Sequence, residues 1–327
     1  MSVTIDTVRA AARSISDTVI RTPVLRLPHE GELFAKAENL QLTNSFKVRG
    51  ALNMLLNLSD EQRRRGVVAH SSGNHAQGVA FAALLLGVPA TIVIPEGAPA
   101  VKVRRTVALG ARVVRCENSS TERERVAARL VEEHGYTLVP PFDNPLIVSG
   151  QGTVGLEIAQ DLPGVSNVLV PIGGGGLSAG VATALKSLLP QVRVIGVEPA
   201  LAADAAASLR SGQPVEWEAK QVSRTVADGV RTQRLGDLNF ELLAKHLDGV
   251  VTVSDEDILR ATAWYFEKAR LVVEPTGALT LAGYRELTQG AEDVRLASGP
   301  TVLVISGGNI EPALLNTLLA TSEAAAS

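Results

Sequence analysis

The sequence has little of several features that would define a protein class at once. Its 327 residues contain a single cysteine, Cys116, which excludes an internal disulfide framework and fits a reducing compartment. The formal net charge is only −3, and the basic residues are scattered apart from a short run at 63–65. Neither a nucleic-acid-binding protein nor a membrane-surface protein is therefore indicated.

Long hydrophobic runs are also missing. The longest, "GVAFAALLLGVPATIVIP", is interrupted by Gly87 and Pro89, which is typical of a helix followed by a strand. The N-terminus has an amphipathic helical pattern without the apolar core of a signal peptide. Because 46% of the residues are hydrophobic, the chain can bury a sizeable core. We expect a soluble, cytoplasmic protein.

Short runs rich in valine and isoleucine alternate with longer helical patterns along the chain. Most of these runs are continuously apolar, which is typical of parallel strands covered by helices on both faces. The sequence therefore predicts an α/β fold with two three-layer lobes and a functional site in the cleft between them. We expect a large lobe of residues 1–50 and 145–327 and a small inserted lobe of residues 51–144. The predicted strands are "GVVAHSS", "ATIVIP", "ARVVRC", "NVLVPI", "RVIGVEP", "DGVVTVS" and "TVLVISGG".

Lys47 lies between a phenylalanine and a valine in the stretch "LQLTNSFKVRGALN". Burying a lysine is unfavourable unless its amine is paired, neutralised or covalently used. The simpler alternative is a lysine at a helix start with a buried stem and a solvated ammonium group. The rest of the chain has to decide between these interpretations.

Four consecutive glycines in "NVLVPIGGGGLSAG" separate a predicted strand from a predicted helix. Their bare backbone N–H groups at a helix N-terminus are suited to bind phosphate. A dinucleotide fingerprint that began at Gly173 would need glycine at position 178, where Ser178 stands, and no nucleoside-triphosphate P-loop motif is present. A turn with only a structural role remains the alternative.

Two other loops carry small polar residues at strand ends. "HSSGNHAQGVA" supplies the polar groups of Ser71, Ser72, Asn74 and His75 at a helix N-terminus, where they suit a carboxylate, although helix capping explains them equally well. "VISGGNIEP" places Ser306 after the last apolar strand. Strand ends of this kind are where α/β proteins position ligand groups.

Taken together and in order, "SFKVRGALN", "SSGNHAQG", "PIGGGGL", "ADGVR", "VVEPTGA" and "SGGN" resemble the threonine/serine dehydratase and serine racemase family of fold type II pyridoxal-phosphate enzymes. The resemblance covers about residues 19–311. It implies that Lys47 carries pyridoxal 5′-phosphate as a Schiff base and that Lys47 and Ser72 are catalytic. The implied cofactor-binding residues are Phe46, Lys47, Asn74, Gly173, Gly174, Gly175, Gly176, Leu177, Gly229, Glu274 and Ser306. The implied substrate-binding residues are Ser71, Ser72, Asn74, His75 and Arg123.

The resemblance implies elimination of water from a 3-hydroxy amino acid such as L-threonine or L-serine, giving a 2-oxo acid and ammonia. A threo-3-hydroxyaspartate dehydratase and a serine racemase remain open. Arg123 matches an arginine that meets a second substrate carboxylate in racemases, but it also fits a solvated helix face. Ser72 matches the racemase acid-base residue, whereas Asn44 stands where the family usually has glycine.

Other aspects of the protein are expected on the same basis. Few residues follow "SGGNIEPALLNTLLA", so we expect a catabolic enzyme without a regulatory domain, and a homodimer. A nicotinamide oxidoreductase is disfavoured because the dinucleotide fingerprint is missing. A binding protein without catalytic activity is disfavoured because Lys47 is retained.

A metal site is expected after the strand "RVIGVEP". Glu198 lies near the end of this strand and Asp204 follows six residues later, so two carboxylates and a turn carbonyl could form a site for a hard cation. The resemblance to metal-activated racemases and dehydratases implies that Glu198, Ala202 and Asp204 bind Mg²⁺ or Ca²⁺.

Overall fold

The structure is a computed structural model that describes residues 2–28, 30–290 and 294–326. Within these residues, strands form a six-stranded sheet in the order β1-β2-β10-β7-β8-β9 and a four-stranded sheet in the order β5-β4-β3-β6. All neighbouring strands are parallel except β1 and β2. The strands are β1 Val24–Arg26, β2 Leu33–Ala37, β3 Val67–His70, β4 Ala90–Pro95, β5 Arg112–Cys116, β6 Thr137–Leu138, β7 Asn167–Pro171, β8 Arg193–Pro199, β9 Gly249–Val253 and β10 Thr301–Ile305.

Helices cover both sheets. Those of the first half are α1 Ile5–Ile15, α2 Lys47–Leu56, α3 Asp60–Arg65, α4 Asn74–Leu86, α5 Ala100–Ala108, α6 Ser120–His134 and α7 Pro145–Asp161. Those of the second half are α8 Gly176–Leu188, α9 Asp204–Ser211, α10 Ala219–Val222, α11 Asp237–His246, α12 Asp255–Glu267, α13 Pro275–Thr288 and α14 Pro312–Ala326. Among the described residues, no helix is both long and apolar enough to span a membrane.

Alternate residues of the central strands belong to different hydrophobic cores. In β7, Leu169 packs in a core with α13, while Val168 packs in a core with α8. In β3, Ala69 packs with α2 and α4, while Val68 packs with α6. Successive side chains of a strand point to opposite faces of its sheet, so helices cover both faces of each sheet. The α/β prediction with three-layer packing is confirmed.

All seven predicted strands are present, but three other strands among the described residues were missed. β1, β2 and β6 contain three, five and two residues, and none of them forms a long apolar run. β1 also adds an antiparallel edge to the larger sheet, which the sequence analysis did not anticipate.

Helix α2 lies where the two sheets meet. It begins at Lys47, and its residues Ala51, Leu52 and Leu55 pack in the core beneath β3 and β4. Ile147 of α7 packs in the same core. The proposed lobe boundaries at residues 51 and 144 remain a prediction, because both α2 and α7 contribute to the core of the smaller sheet.

Candidate functional site

Lys47 is the first residue of α2, and it is half-buried. Its Nζ donates a hydrogen bond to the carbonyl oxygen of Pro141 at 2.8 Å and lies 5.1 Å from the centre of the Phe46 ring. Burial lowers the pKa of Lys47 to about 8. A Cβ atom on Gly78 would lie 3.1 Å from the backbone carbonyl carbon of Lys47, so glycine at this position lets α4 pack closely against α2.

The glycine-rich loop joins β7 to α8. Gly175 has a φ of +92°, a conformation that favours glycine, and a Cβ on Gly174 would overlap the ring of Phe142. Gly175 is the N-cap of α8 and provides no side-chain acceptor for the N–H groups of the first turn. These donors and the positive end of the helix dipole suit an anionic group such as phosphate.

The segment that carries Ser306 is joined directly to the segment that carries Lys47. The N–H of Phe46 donates to the carbonyl oxygen of Ser306 at 3.1 Å, and Ser45 forms a β-bridge with Gly307. The side chain of Ser306 is 2% exposed, and its Oγ has no hydrogen-bond partner among the described residues. A buried hydroxyl without a partner is unfavourable, so Ser306 is suited to meet a ligand group.

Asn74, the first residue of α4, has both ends of its amide held. Its Nδ2 donates to Oε1 of Glu274 at 2.7 Å, and its Oδ1 accepts from Nδ2 of Asn309 at 2.8 Å. One N–H of the Asn74 amide therefore remains for another acceptor. Burial raises the pKa of Glu274 to about 7, with a further increase from the charge of Asp228.

The loop before α4 holds the other predicted substrate residues. Ser71 and Ser72 are half-buried, and Oγ of Ser71 accepts from the N–H of Gly73 at 3.2 Å. The His75 imidazole is buried, and its Nε2 lies 2.9 Å from the carbonyl oxygen of Val139. Mainly because of this burial, the pKa of His75 falls to about 3, so its ring is neutral.

Arg123 lies in the first turn of α6 and is half-buried. The pKa of His70, the residue before Ser71, is lowered by burial and also by the charge of Arg123, against an opposing effect of Glu124. Arg123 is thus within electrostatic range of the loop that contains Ser71 and Ser72. Its predicted role in binding a substrate carboxylate remains a prediction.

Gly229 and Leu177 are the last two predicted cofactor residues, and only their backbone groups are available to a ligand. The N–H of Gly229 donates to Oγ1 of Thr276 at 3.0 Å. The next residue, Val230, packs closely against Gly173: a Cβ atom on Gly173 would lie 3.0 Å from the Cα of Val230. The side chain of Leu177 is 5% exposed and packs in the core of the larger sheet, so only its backbone is available to a ligand at the loop.

The predicted metal site contains two buried carboxylates. Glu198 accepts hydrogen bonds from the N–H groups of Ala205 and Ala206 at 2.9 and 2.8 Å, whereas neither oxygen of Asp204 has a partner among the described residues. Burial raises the pKa of Asp204 to about 7, and burial together with the Asp204 charge raises that of Glu198. Ala202 lies in the short 3₁₀ turn between them.

The donor set of this site is compatible with a cation but small. No group of three or more histidine, cysteine, aspartate or glutamate side chains that could hold a metal occurs among the residues described. A cation at this place would therefore depend on backbone carbonyls and water for its other ligands. The two unpartnered oxygens of Asp204 are the feature that fits a metal.

Sequence reasoning missed a buried ionic cluster beside Lys47. The guanidinium group of Arg49 is fully buried, and it donates to Glu38 at 2.8 Å through Nε and to Glu157 at 2.7 Å through Nη1. Lys36 is also fully buried and lies 2.6 Å from Glu157. Lys36 also lies 3.7 Å from Asp161, which pairs with the exposed Arg21. Cations and carboxylates thus balance each other in this cluster, and they join β2, α2 and α7. The position of Arg49 two residues after Lys47 was the only available signal.

The segment before Lys47 also explains a departure noted in the sequence. Asn44 has a φ of +55° and Thr43 a φ of +62°. This left-handed conformation favours glycine, which accounts for the glycine that the family usually has at position 44. Asparagine tolerates it better than a β-branched residue such as threonine.

Comparison with known proteins defines the class to which this fold and site belong. Residues 15–307 match the family described as "Pyridoxal-phosphate dependent enzyme". The chain is 42% identical over 322 residues to an L-threonine ammonia-lyase of Thermotoga maritima, covering 97% of this chain and 78% of the relative. It is 40% identical over 318 residues to an L-threo-3-hydroxyaspartate ammonia-lyase of Saccharomyces cerevisiae, covering 96% and 95%.

A solved structure agrees with this assignment. The serine racemase of Dictyostelium discoideum superposes with a TM-score of 0.87 at 35% identity, covering 95% of this chain and all of that one. The chain is a member of the pyridoxal-phosphate-dependent enzyme family. The resemblance inferred from the motifs is confirmed.

The residues of the site fit the cofactor that defines this family. The half-buried amine of Lys47, whose pKa is lowered by desolvation, is available for covalent attachment. An uncapped helix N-terminus after four glycines is available for the phosphate, and the Ser306 hydroxyl is buried without a partner. These three features lie in different parts of the sequence, and hydrogen bonds join the first to the third.

Proposed function

We propose that this protein is an ammonia-lyase that converts a 3-hydroxy amino acid such as L-threonine or L-serine to a 2-oxo acid and ammonia. The observation that carries the proposal is the junction of the Lys47 segment with Ser306: the N–H of Phe46, the residue before Lys47, donates to the backbone carbonyl of Ser306, whose neutral hydroxyl is buried without a partner among the described residues. The names and similarity of the relatives support the same activity.

The cofactor, with the substrate amine in place of the Lys47 amine, would withdraw electrons from the substrate and so acidify its Cα–H bond. We assign the amine of Lys47 as the base that accepts this proton. A pKa of about 8 leaves about half of the amines neutral at pH 8, as a base requires. We assign Ser306 as a hydrogen-bonding partner of the ring nitrogen that carries no charge, which favours elimination over other reactions of the carbanion.

The substrate carboxylate is assigned to the loop before α4. Ser71, Ser72 and the free N–H of Asn74 lie at the N-terminus of this helix, where donors and the helix dipole favour an anion. The buried ring of His75 supports the loop from within, and we propose that His75 contributes through its backbone. Ser72 is the candidate acid-base residue for a racemase activity, which is the second function that we consider.

The main question of specificity is whether the substrate side chain carries a second carboxylate. We propose that Arg123 pairs with the second carboxylate if 3-hydroxyaspartate is a substrate, because its charge acts on the residue next to Ser71. A desolvated charge pair is worth roughly 30- to 1000-fold in kcat/KM. An arginine on a solvated helix face contributes almost nothing.

The test is 2-oxo acid release from L-threonine, L-serine and L-threo-3-hydroxyaspartate by the native enzyme and by Arg123→Ala. Arg125→Ala is the matched control, since Arg125 lies on the same helix, is exposed and pairs with Glu122. A loss confined to hydroxyaspartate identifies an enzyme for acidic substrates. Equal small effects of both variants leave L-threonine and L-serine as substrates, and no 2-oxo acid from any of the three contradicts the proposed function.

Further features accompany this proposal. We propose that Glu198, Asp204 and the carbonyl of Ala202 bind Mg²⁺ or Ca²⁺, supported by the two unpartnered oxygens of Asp204. We also propose a cytoplasmic homodimer acting in amino-acid catabolism, with lobes of residues 1–50 plus 145–327 and 51–144.

A further inference from the structure

Helix α5 connects the smaller sheet to loops of the larger one. It packs against α4 and β5, both of the smaller sheet. Two basic side chains one turn apart on α5 reach the other side: Nζ of Lys102 donates to Oδ2 of Asp228 at 2.6 Å, and Nη1 of Arg105 donates to Oδ1 of Asn309 at 3.2 Å. Asp228 begins a short 3₁₀ turn between α10 and α11, and Asn309 lies in the loop after β10 of the larger sheet.

The turn that carries Asp228 contacts two parts of the site. Gly229, the residue after Asp228, donates a backbone hydrogen bond to the hydroxyl of Thr276, which lies two residues after Glu274. Val230 lies against Gly173 of the glycine-rich loop. A displacement of the Asp228 turn would therefore be transmitted to the phosphate loop and to the start of α13.

The loop that carries Asn309 contacts the segment before Lys47 and the start of α4. Nδ2 of Asn309 donates to the carbonyl oxygen of Thr43 and to Oδ1 of Asn74, both at 2.8 Å. Asn74 in turn donates to Glu274. Arg105 of α5 thus binds Asn309, the same side chain that holds the amide of Asn74.

The positive charge of Lys102 also offsets the negative charge of Asp228 near Glu274. Burial is the main cause of the raised pKa of Glu274, and the charge of Asp228 raises it further. The Asn74 side chain, the charge of Lys102 and the Asn309 N–H lower this pKa. Without Lys102, the negative charge of Asp228 would lie near Glu274 uncompensated.

We propose that Lys102 and Asp228 form a clasp between α5 and the larger sheet, which holds α5 in place and thereby positions Asn74 and the glycine-rich loop around the substrate. The proposal rests on the proposed ammonia-lyase function. The pair touches no reacting atom, so Lys102 and Asp228 are positioning residues. Arg105 and Asn309 provide the second point of attachment.

The clasp predicts effects on substrate binding that exceed its effect on stability. The two side chains are 18% and 41% exposed, and an ion pair of this exposure contributes little to overall stability. Reversing one charge replaces attraction by repulsion, so Lys102→Asp is expected to raise KM for L-threonine about tenfold or more. The milder Lys102→Met is expected to raise it about two- to fivefold.

The experiment compares charge reversal at the clasp with charge reversal at a matched pair. Lys186 and Asp248 lie 2.7 Å apart with exposures of 18% and 27%. Lys186 is in α8 and Asp248 immediately precedes β9, so this pair lies on the side of the larger sheet alone. Holoenzymes carrying Lys102→Asp, Asp228→Lys, both changes, or Lys186→Asp are assayed for KM, kcat and melting temperature. Hydrogen exchange of the α5 amides is measured in the same proteins without substrate.

The clasp predicts that Lys102→Asp raises KM and speeds exchange in α5, that the double reversal restores both at least in part, and that Lys186→Asp changes neither. Parallel behaviour of Lys102→Asp and Lys186→Asp, or no recovery in the double variant, overturns the proposal. If Lys102→Asp does not fold, Lys102→Met gives the same comparison. A native enzyme without 2-oxo acid release contradicts the proposed function alone, because hydrogen exchange still tests the clasp.

Discussion

Replacing Arg49 by methionine probes the ionic cluster that holds the start of α2. The side chain of Arg49 is 0% exposed and donates to both oxygens of Glu38, at 2.8 Å each, and to both oxygens of Glu157, at 2.7 and 2.9 Å. Arg49→Met leaves Lys36 as the only cation beside two buried carboxylates. Removing one partner from a buried ion cluster costs about 3–5 kcal/mol in the free energy of unfolding.

This loss can be converted into a melting temperature. An unfolding entropy of about 2.1 cal/mol/K per residue gives about 0.7 kcal/mol/K for 327 residues, so the expected decrease is roughly 4–7 °C at pH 7.5. Arg21→Met is the matched control, because Arg21 also pairs with a carboxylate, that of Asp161, but its side chain is 52% exposed. We expect the control to lose less than about 1 kcal/mol.

The pH dependence gives the sign of the effect. Burial alone would raise the pKa of Glu38, but the charge and hydrogen bonds of Arg49, with Lys36 and Thr22, bring it below the ordinary value. In the native protein this carboxyl therefore contributes stability above the unfolded pKa, and the contribution is lost as pH falls through the lowered folded pKa. In Arg49→Met burial dominates, the folded pKa of Glu38 rises, and protonation becomes favourable on folding.

The deficit of Arg49→Met relative to the native protein should accordingly be largest at pH 7–8 and shrink towards pH 5. Thermal unfolding at pH 5, 6.5 and 8 measures this, and adding Glu38→Leu to the variant should recover part of the loss, because the uncompensated charge is then removed. A melting temperature no lower than that of Arg21→Met, or a deficit that grows as pH falls, would refute the reasoning.

Three other predictions follow from local features. Thr43→Gly should raise stability by about 1 kcal/mol by thermal unfolding, and Asn44→Gly by less, because both residues have positive φ; a destabilised Thr43→Gly would contradict this. Ser72→Ala should suppress racemisation of L-serine far more than 2-oxo acid release, and equal losses would assign Ser72 to substrate binding. EDTA should lower the melting temperature until Mg²⁺ or Ca²⁺ is added, whereas Asp204→Asn should abolish this response.

The strands that the sequence predicted correctly share a local signal. β7, β8 and β10 are buried at every position or all but one, and each contains four consecutive residues without a polar side chain. β2 lacks such a run because Lys36 stands within it. That lysine is tolerated because Glu157, far away in sequence, lies 2.6 Å from its amine. No local pattern contains this information.

The same limit applies to the site. The glycine-rich loop and the Lys47 motif are each a continuous stretch of sequence, so the sequence alone was sufficient to identify them. The hydrogen bonds that join Asn74 to Glu274 and to Asn309 span 200 and 235 residues, and the Lys102–Asp228 contact spans 126. Such partners become neighbours only through the packing of the two sheets, and spacing along the chain does not reveal them.

The central claim is that Lys47 holds the cofactor. The direct measurement is borohydride reduction of the purified holoenzyme followed by peptide mass spectrometry. We predict that the phosphopyridoxyl group is found on Lys47, and that Lys47→Ala is folded, colourless and inactive. Lys36, whose side chain is fully buried, should remain unmodified because its amine is paired with Glu157. Modification of another lysine in the native enzyme, or a reducible yellow cofactor retained by Lys47→Ala, would contradict the account.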